Sequence, residues 1–230
     1  LVFISIFLSF CSSKNDLLLV SNAKNEEVIN LLDAITIYKN SEEKINLDIG
    51  VWMFNKKEVD VNSIADWLGV KFDGKIVLEP INIVWVDFVS ENKKEAEQRI
   101  LAFLNENNFI HRSGSSTGYY GVFEDNFWIN QYRETWSDKL DPNTINNHGR
   151  IFLGYETISN LGNSAFVSTG AFSLENEKHY FISFEESLKQ FRETEFWKIN
   201  SEVTTLSNII NNNTYYSTFD HKRVKVFVLK

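Results

Sequence analysis

The stretch Glu79-Pro-Ile-Asn-Ile-Val-Trp-Val-Asp-Phe88 limits what this chain can become more than any other. It is a near-continuous apolar run closed by a polar break, and a long pattern of helical spacing follows at once. A strand that is apolar at successive positions has both faces covered, so the run is expected at the interior of a sheet, with the next helix packing back on it. Ser90 is the expected cap of that helix, and Ala96, Ile100, Phe103 and Leu104 fall on one face, with Lys93, Lys94, Glu95, Glu97 and Arg99 on the other.

Before this run, Val28, Leu31, Leu32 and Ile35 recur at helical spacing, which predicts an amphipathic helix from Glu26 to about Tyr38. A strand is expected over Asp48–Phe54. Val61–Gly69 reads as a short helix with Gly69 at its C-terminal side. Asp73-Gly74 between alternating apolar residues predicts a hairpin over Val70–Leu78, because both turn positions tolerate positive φ. After Asn108 the chain is rich in strand-like segments: Phe109–Ser113, Tyr119–Phe123, Phe127–Tyr132, Arg150–Tyr155 and Ala165–Leu174. Ser183 followed by Glu186 is a capping-box spacing and opens a helix to about Arg192. A helical or turn region around Val203–Ile210 and two strands, Tyr215–Phe219 and Val224–Leu229, complete the pattern. These segments together predict an α+β fold: a mostly antiparallel mixed sheet centred on Ile81–Phe88, with the two helices packed over it in a single domain.

The N-terminal stretch predicts a location. Residues 1–10 are apolar almost throughout, the run ends at Cys11, and Ser12-Ser-Lys-Asn-Asp16 is polar, which is the shape of a signal-peptide core rather than of a membrane span. Leu8-Ser-Phe-Cys11 resembles the lipobox of bacterial lipoproteins, departing from it at Phe10, where a small residue is usual. The resemblance implies lipidation of Cys11. The organisation expected is therefore an anchor segment over 1–13, truncated at its N-terminus, a tether over 14–25, and a folded body over 26–230. That body would be held to the bacterial cell envelope through its lipid, periplasmic or surface-exposed. The competing reading is a buried N-terminal strand with an incidental cysteine. Cys11 is also the sole cysteine among 230 residues, which excludes an intrachain disulfide framework and a cysteine-rich zinc site.

Charge excludes another class. With 23 Lys and Arg against 31 Asp and Glu, the chain carries a formal −8 and its cations are scattered, so phosphate-driven nucleic-acid binding is not expected. The basic run at 221–225 reads as the solvated face of a strand.

Three groups of residues could carry chemistry. His148 and Arg150 stand two apart at the start of a strand, so their side chains share a face and could converge on an anion, the guanidinium as a fork and the imidazole as donor or base. His179 from a neighbouring strand would complete a cluster; the competing role is to fasten a loop through a carboxylate such as Glu134. The cluster could bind phosphate or carboxylate or hold a metal, but two histidines without a nearby acid are a weak metal signature, and neither metal nor cofactor is expected. The hydroxyl-rich stretch Ser113-Gly-Ser-Ser-Thr-Gly118 lacks a P-loop lysine and reads as a turn. Between Tyr119 and Trp136 aromatics alternate with amides and charges, so a few could line a groove for a polar ligand with flat apolar faces. Tyr120, Arg133 and Glu134, with His148 and Arg150, are the candidate binding residues.

The order of motifs resembles the LssY C-terminal-type domains of bacterial envelope-associated proteins over about residues 75–195. The likeness rests on Pro80–Val86, on the following helix and Phe109, on His148-Gly-Arg150-Ile-Phe, on Phe166-Val-Ser-Thr-Gly-Ala171, and on the later His179. The chain departs from that pattern at Asn147, where the family often has a second histidine, and at Tyr180-Phe-Ile182, where an acid is usual. The resemblance implies a fold and an envelope setting and no activity. Three functions follow as expectations: a non-catalytic binding domain for a small polar ligand or an envelope protein; a hydrolase acting on phosphate or ester groups through His148, Arg150 and His179; or a purely structural envelope component.

Overall fold

In a computed structural model the chain is described over residues 20–22, 27–29, 31–60, 62–72, 75–200 and 224–230. The Cys11 segment, most of the tether, the Asp73-Gly74 turn, the 203–210 region and the expected strand at 215–219 lie outside these residues.

The first half of the chain forms antiparallel pairs. β1 (Val20–Asn22) pairs with β2 (Glu27–Ile29), β3 (Leu32–Tyr38) with β4 (Lys44–Gly50), and β5 (Asp66–Phe72) with β6 (Lys75–Leu78). The chain continues through β7 (Ile83–Asp87), helix α1 (Lys93–Glu106), β8 (Ile110–Arg112), β9 (Tyr120–Phe123), β10 (Phe127–Asn130) and β11 (Thr135–Ser137). Two long strands follow, β12 (Asn146–Ile158) and β13 (Ser164–Glu175), then β14 (Phe181–Ser183), helix α2 (Phe184–Lys189), β15 (Trp197–Ile199) and β16 (Lys225–Leu229).

The expected α+β architecture is not what forms. Two larger sheets share a core, one of eight strands with the path β15-β16-β7-β13-β12-β11-β8 and β14 beside β13, the other of four strands in the order β10-β9-β4-β3. Only α1 and the six-residue α2 are α-helical among the described residues. Where helices are expected over 26–38 and 61–69, the described residues form β2 and β3 in the first segment and a turn at 62–63, a bridge at Ile64 and the start of β5 in the second. In β3 the β-branched run Ile35-Thr-Ile37 alternates in burial and pairs across a turn with Leu47, Asn46 and Ile45, so cross-strand packing overrides the helical spacing of Val28, Leu31, Leu32 and Ile35. In the second segment Ile64 bridges Phe54, and Ala65 donates to the Met53 carbonyl and accepts from the Glu79 amide, which draws the backbone into a ladder. The hairpin strands on either side of residues 73 and 74 do pair, Phe72 opposite Lys75.

β7 lies inside the large sheet, antiparallel to β13 and parallel to β16, and all five of its residues are buried. Val84 and Val86 face the small sheet, in a core with Ile37, Leu47, Phe152 and Val167. Ile83 and Trp85 face the opposite way, toward Ile100, Phe103 and Leu104 of α1 and toward Phe172, Phe191 and Phe227. Apolarity at every position follows from covering on both faces.

Helix α1 is capped by Asn92, whose side chain accepts from the Glu95 amide at 3.0 Å, and not by Ser90. Ser90 instead donates to Asp87 Oδ2 at 2.6 Å, while Asp87 Oδ1 accepts from the Val89 and Ser90 amides, so the acid ending β7 builds the turn into the helix. Helix α2 starts as its capping spacing predicts, with Ser183 accepting from the Glu186 amide, but it ends at Lys189. Lys225 is not on a solvated face: its ammonium donates to the carbonyls of Leu188 and Phe191, satisfying acceptors near the end of α2.

Candidate functional site

The pairing of β12 with β13 decides which side chains meet. Asn146 lies opposite Glu175, His148 opposite Ser173 and Arg150 opposite Ala171, so Asn146, His148, Arg150, Ser173 and Glu175 point from one face of the sheet. On the next strands Ser137 lies opposite His148, and Arg112 opposite Thr135. The result is a polar extension of the face that, farther along the sheet, carries Val84 and Val86.

His148 and His179 meet here through a residue the sequence reading did not single out. Glu175 places Oε1 3.1 Å from His148 Nε2 and Oε2 3.4 Å from His179 Nδ1, so one carboxylate stands between the two imidazoles. The residues differ in access: His148 and Glu175 are each 3% exposed and Arg150 8%, whereas the His179 side chain is 48% exposed. Arg150 donates from Nη2 to the Ser116 hydroxyl at 2.5 Å, and its guanidinium lies 5.2 Å from the centre of the Tyr119 ring.

The hydroxyl-rich loop 113–118 is a cover bound to this cluster. Ser115 accepts from the Thr135 amide and donates to the Arg112 carbonyl, and the Ser116 carbonyl accepts from Gln131 Nε2. Gly114 and Gly118 supply the positive φ angles, +80° and +95°, that let the loop turn back over the strands.

Burial dominates the electrostatics. His148 is driven well below the ordinary imidazole value, first by desolvation and then by the charges of Arg150, Arg112 and His179, with Asp138 opposing, so it is neutral. Glu175 is pushed up to about 7 by desolvation, against His179, Arg150 and Arg112. Glu79, 3% exposed at the end of β6, is also pushed up to about 7, by desolvation first, with Arg150 opposing and Glu175 and Asp66 adding. Two carboxyl groups that titrate near neutrality therefore share an interior with two arginines and an uncharged histidine. Two nitrogens there, His148 Nδ1 and Arg150 Nε, are buried without a hydrogen-bond partner.

The other candidate binding residues have different surroundings. Glu134 pairs with His111 and not with His148, and that hydrogen bond holds its carboxyl below the usual range. Arg133 is exposed on a left-handed backbone position, φ +58°, with its guanidinium 5.3 Å from the Tyr132 ring centre. Tyr120 meets the edge of Trp128 on the small sheet, with Lys57 above its ring. Cys11 lies outside the described residues.

Glu175, Glu79 and Arg112 were the residues missed. Glu175 was detectable in principle: it ends a strand whose apolar alternation runs from Ala171, and a carboxylate there shares the face of Ala171 and Ser173. No group of three or more His, Cys, Asp or Glu side chains among the described residues is arranged to hold a metal ion, and no helix among them is long and apolar enough to cross a membrane.

Two surface cavities lie elsewhere. One of about 540 Å³ opens where α1 ends, lined by Glu106, Asn107, Asn108, Asp138, Lys139, Gln190, Arg192, Glu193 and Thr194. Its rim is tied together by Asn107, whose side-chain oxygen accepts from the Arg192 amide at 2.7 Å. The other, of about 340 Å³, lies along α1 beside Phe196 and Trp197. Comparison with family models, curated proteins and solved structures gave no match.

Proposed function

We propose that this chain is a non-catalytic binding domain for a small polar ligand, held at the bacterial cell envelope by a lipid on Cys11. The observation that carries the binding reading is the division of chemistry between interior and surface. His148, Arg150 and Glu175 are closed inside the protein, whereas the open 540 Å³ cavity presents Asn108, Lys139, Gln190 and Arg192. Amides, an ammonium and a guanidinium beside carboxylates suit a neutral ligand rich in hydroxyl groups, such as a saccharide, because each hydroxyl both donates and accepts. The envelope setting is supported by the lipobox-like Leu8–Cys11 and by the likeness to LssY C-terminal-type domains.

Titration with neutral mono- and disaccharides, followed by amide chemical shifts, tests the site. Perturbations should centre on Asn107, Asn108 and Gln190 and vanish in Lys139→Ala and Gln190→Ala. Perturbations centred on Arg150 instead, or none with any saccharide, would defeat this reading. Labelled palmitate should be incorporated by the wild-type chain in cells and not by Cys11→Ala.

The hydrolase reading has one observation in its favour, the carboxylate joining His148 to His179. It requires the interior to open to substrate, and phosphatase or esterase turnover abolished by His148→Ala would establish it.

A further inference from the structure

We propose that Arg112, Thr135 and Arg150, beneath the 113–118 loop, form a binding site for a phosphate-type oxyanion, taken up as hydrogen phosphate. Thr135 stands opposite Arg112 across β8 and β11, and the register that sets Trp136 opposite Gly149 brings Thr135 level with Arg150 on β12. Three neighbouring strands thus carry two guanidiniums and the hydroxyl between them on one face of the sheet. The loop lies over this row: Ser116 Oγ accepts from Arg150, and Ser115 Oγ accepts from the Thr135 amide.

The two cations lack the partner that burial demands. Arg150 is 8% exposed, its Nε is buried without an acceptor, and the hydroxyl it meets at Nη2 is neutral. Arg112 reaches only the Asn146 side-chain oxygen, at 3.4 Å. Among the described residues neither guanidinium is in an ion pair. The acids nearby are engaged elsewhere or stand farther off: Glu175 gives its two oxygens to His148 and His179, Asp138 Oδ1 accepts from the Asn147 amide, and Glu79 acts on Arg150 only at longer range. The guanidiniums also repel: Arg112 is held below its usual range by burial first, with Glu175 opposing and Arg150 adding. Buried cations persist where an anion meets them, and a guanidinium fork matches an oxyanion. Further unused groups fix which one. The Thr135 hydroxyl is buried without a partner, and so is the oxygen of Gln131, whose carboxamide nitrogen donates to the Ser116 carbonyl at 3.1 Å. The hydroxyls and guanidiniums donate to phosphate oxygens, while the Gln131 oxygen accepts from a ligand hydroxyl, which hydrogen phosphate has and sulfate lacks. Phosphate enters as the loop lifts on the exposed Gly114 and Gly118. The site is separate from the surface cavity and does not depend on the saccharide reading.

Calorimetric titration of the full chain with sodium phosphate, in a phosphate-free buffer at neutral pH and constant ionic strength, tests the site, with sodium sulfate as the comparison. Phosphate should saturate a single site, and sulfate should bind at least about tenfold more weakly because it leaves the Gln131 oxygen unmet. Arg150→Lys keeps the charge but loses the fork and should weaken phosphate at least about tenfold. Should that variant not fold, Arg112→Gln, at a half-buried position, should weaken phosphate likewise. Lys139→Ala, in the surface cavity, should bind phosphate as the wild type does. No saturable phosphate binding, equal affinity for sulfate, or unchanged affinity in folded Arg112→Gln would each overturn the proposal, as would loss of binding in Lys139→Ala.

Discussion

Replacing Glu79 by Gln should stabilise the protein in alkali and leave it little changed in acid. Glu79 is 3% exposed, and its backbone is fastened on both sides, donating to the Ala65 carbonyl at 3.0 Å and accepting from the Met53 amide at 2.8 Å, so the side chain cannot easily move out to water. Its carboxyl titrates near 4.5 in the unfolded chain and about 7 in the fold. Below pH 4.5 both states hold the proton and nothing is lost. As the pH rises from 4.5 to 7 the unfolded chain ionises while the folded one resists, so stability drains away across that window and is level above it. The interval corresponds to about 3 kcal/mol. Gln cannot ionise, so the stability of Glu79→Gln relative to wild type should rise by about 3 kcal/mol between pH 4.5 and pH 8. At this chain length that is a difference of roughly 6–12 °C in the thermal midpoint at pH 8. Loss of the Glu79 charge also eases the ionisation of Glu175, which works in the same direction.

His148 supplies an internal contrast. Its depressed pKa stabilises the fold above about 6.5 and that contribution is lost as pH falls, opposite in sign to the two glutamates. Wild type, with two such glutamates against one histidine, should therefore lose stability between pH 5 and 8, and Glu79→Gln should have the shallower profile. Urea midpoints at pH 5.0 and 8.5 for both proteins decide the matter. A constant gap between the two proteins at the two pH values would refute the reasoning, because a desolvated carboxyl is the only feature of the substitution that depends on pH.

Two further substitutions probe the frame around the cluster. Trp85→Ala should cost about 3–5 kcal/mol, read from the urea midpoint, because the indole is fully buried against Phe103 at 5.9 Å; its ring nitrogen has no partner, so the loss is one of packing. Gly149→Ala should cost about 3 kcal/mol or more, since a Cβ there would stand 2.2 Å from the Ala171 carbonyl oxygen and 2.5 Å from the Phe172 ring; a variant unfolding at the wild-type midpoint would contradict the close approach of β12 and β13.

What the sequence revealed and what it hid divide along one physical line. The interior position of Ile83–Asp87 was legible because a strand covered on both faces is apolar at every position, and the buried face of α1 was legible because its periodicity has no competitor. The segment 26–38 misled because Val28, Leu31, Leu32 and Ile35 fit a helix, while the alternation of Ile35 and Ile37 becomes decisive only once Ile45 and Leu47 stand opposite them. Pairing partners lie outside any local window, so a β-rich fold is underread wherever apolar residues satisfy both periods. The site follows the same line. His148 and Arg150 could be placed on one face from their spacing alone, whereas His179 stands in the turn after β13 and not on a neighbouring strand, and reaches His148 only through Glu175. Glu175 could be placed on the face of Ala171 and Ser173 but not beside His148, because its alignment with Asn146 is a property of register across two long strands with a bulge between Phe152 and Tyr155. That register also explains why the cluster resembles a catalytic site without being open like one. A two-sheet core closes over whatever its inward positions carry, and the charges there survive because carboxyl groups, guanidiniums and a neutral imidazole share the interior.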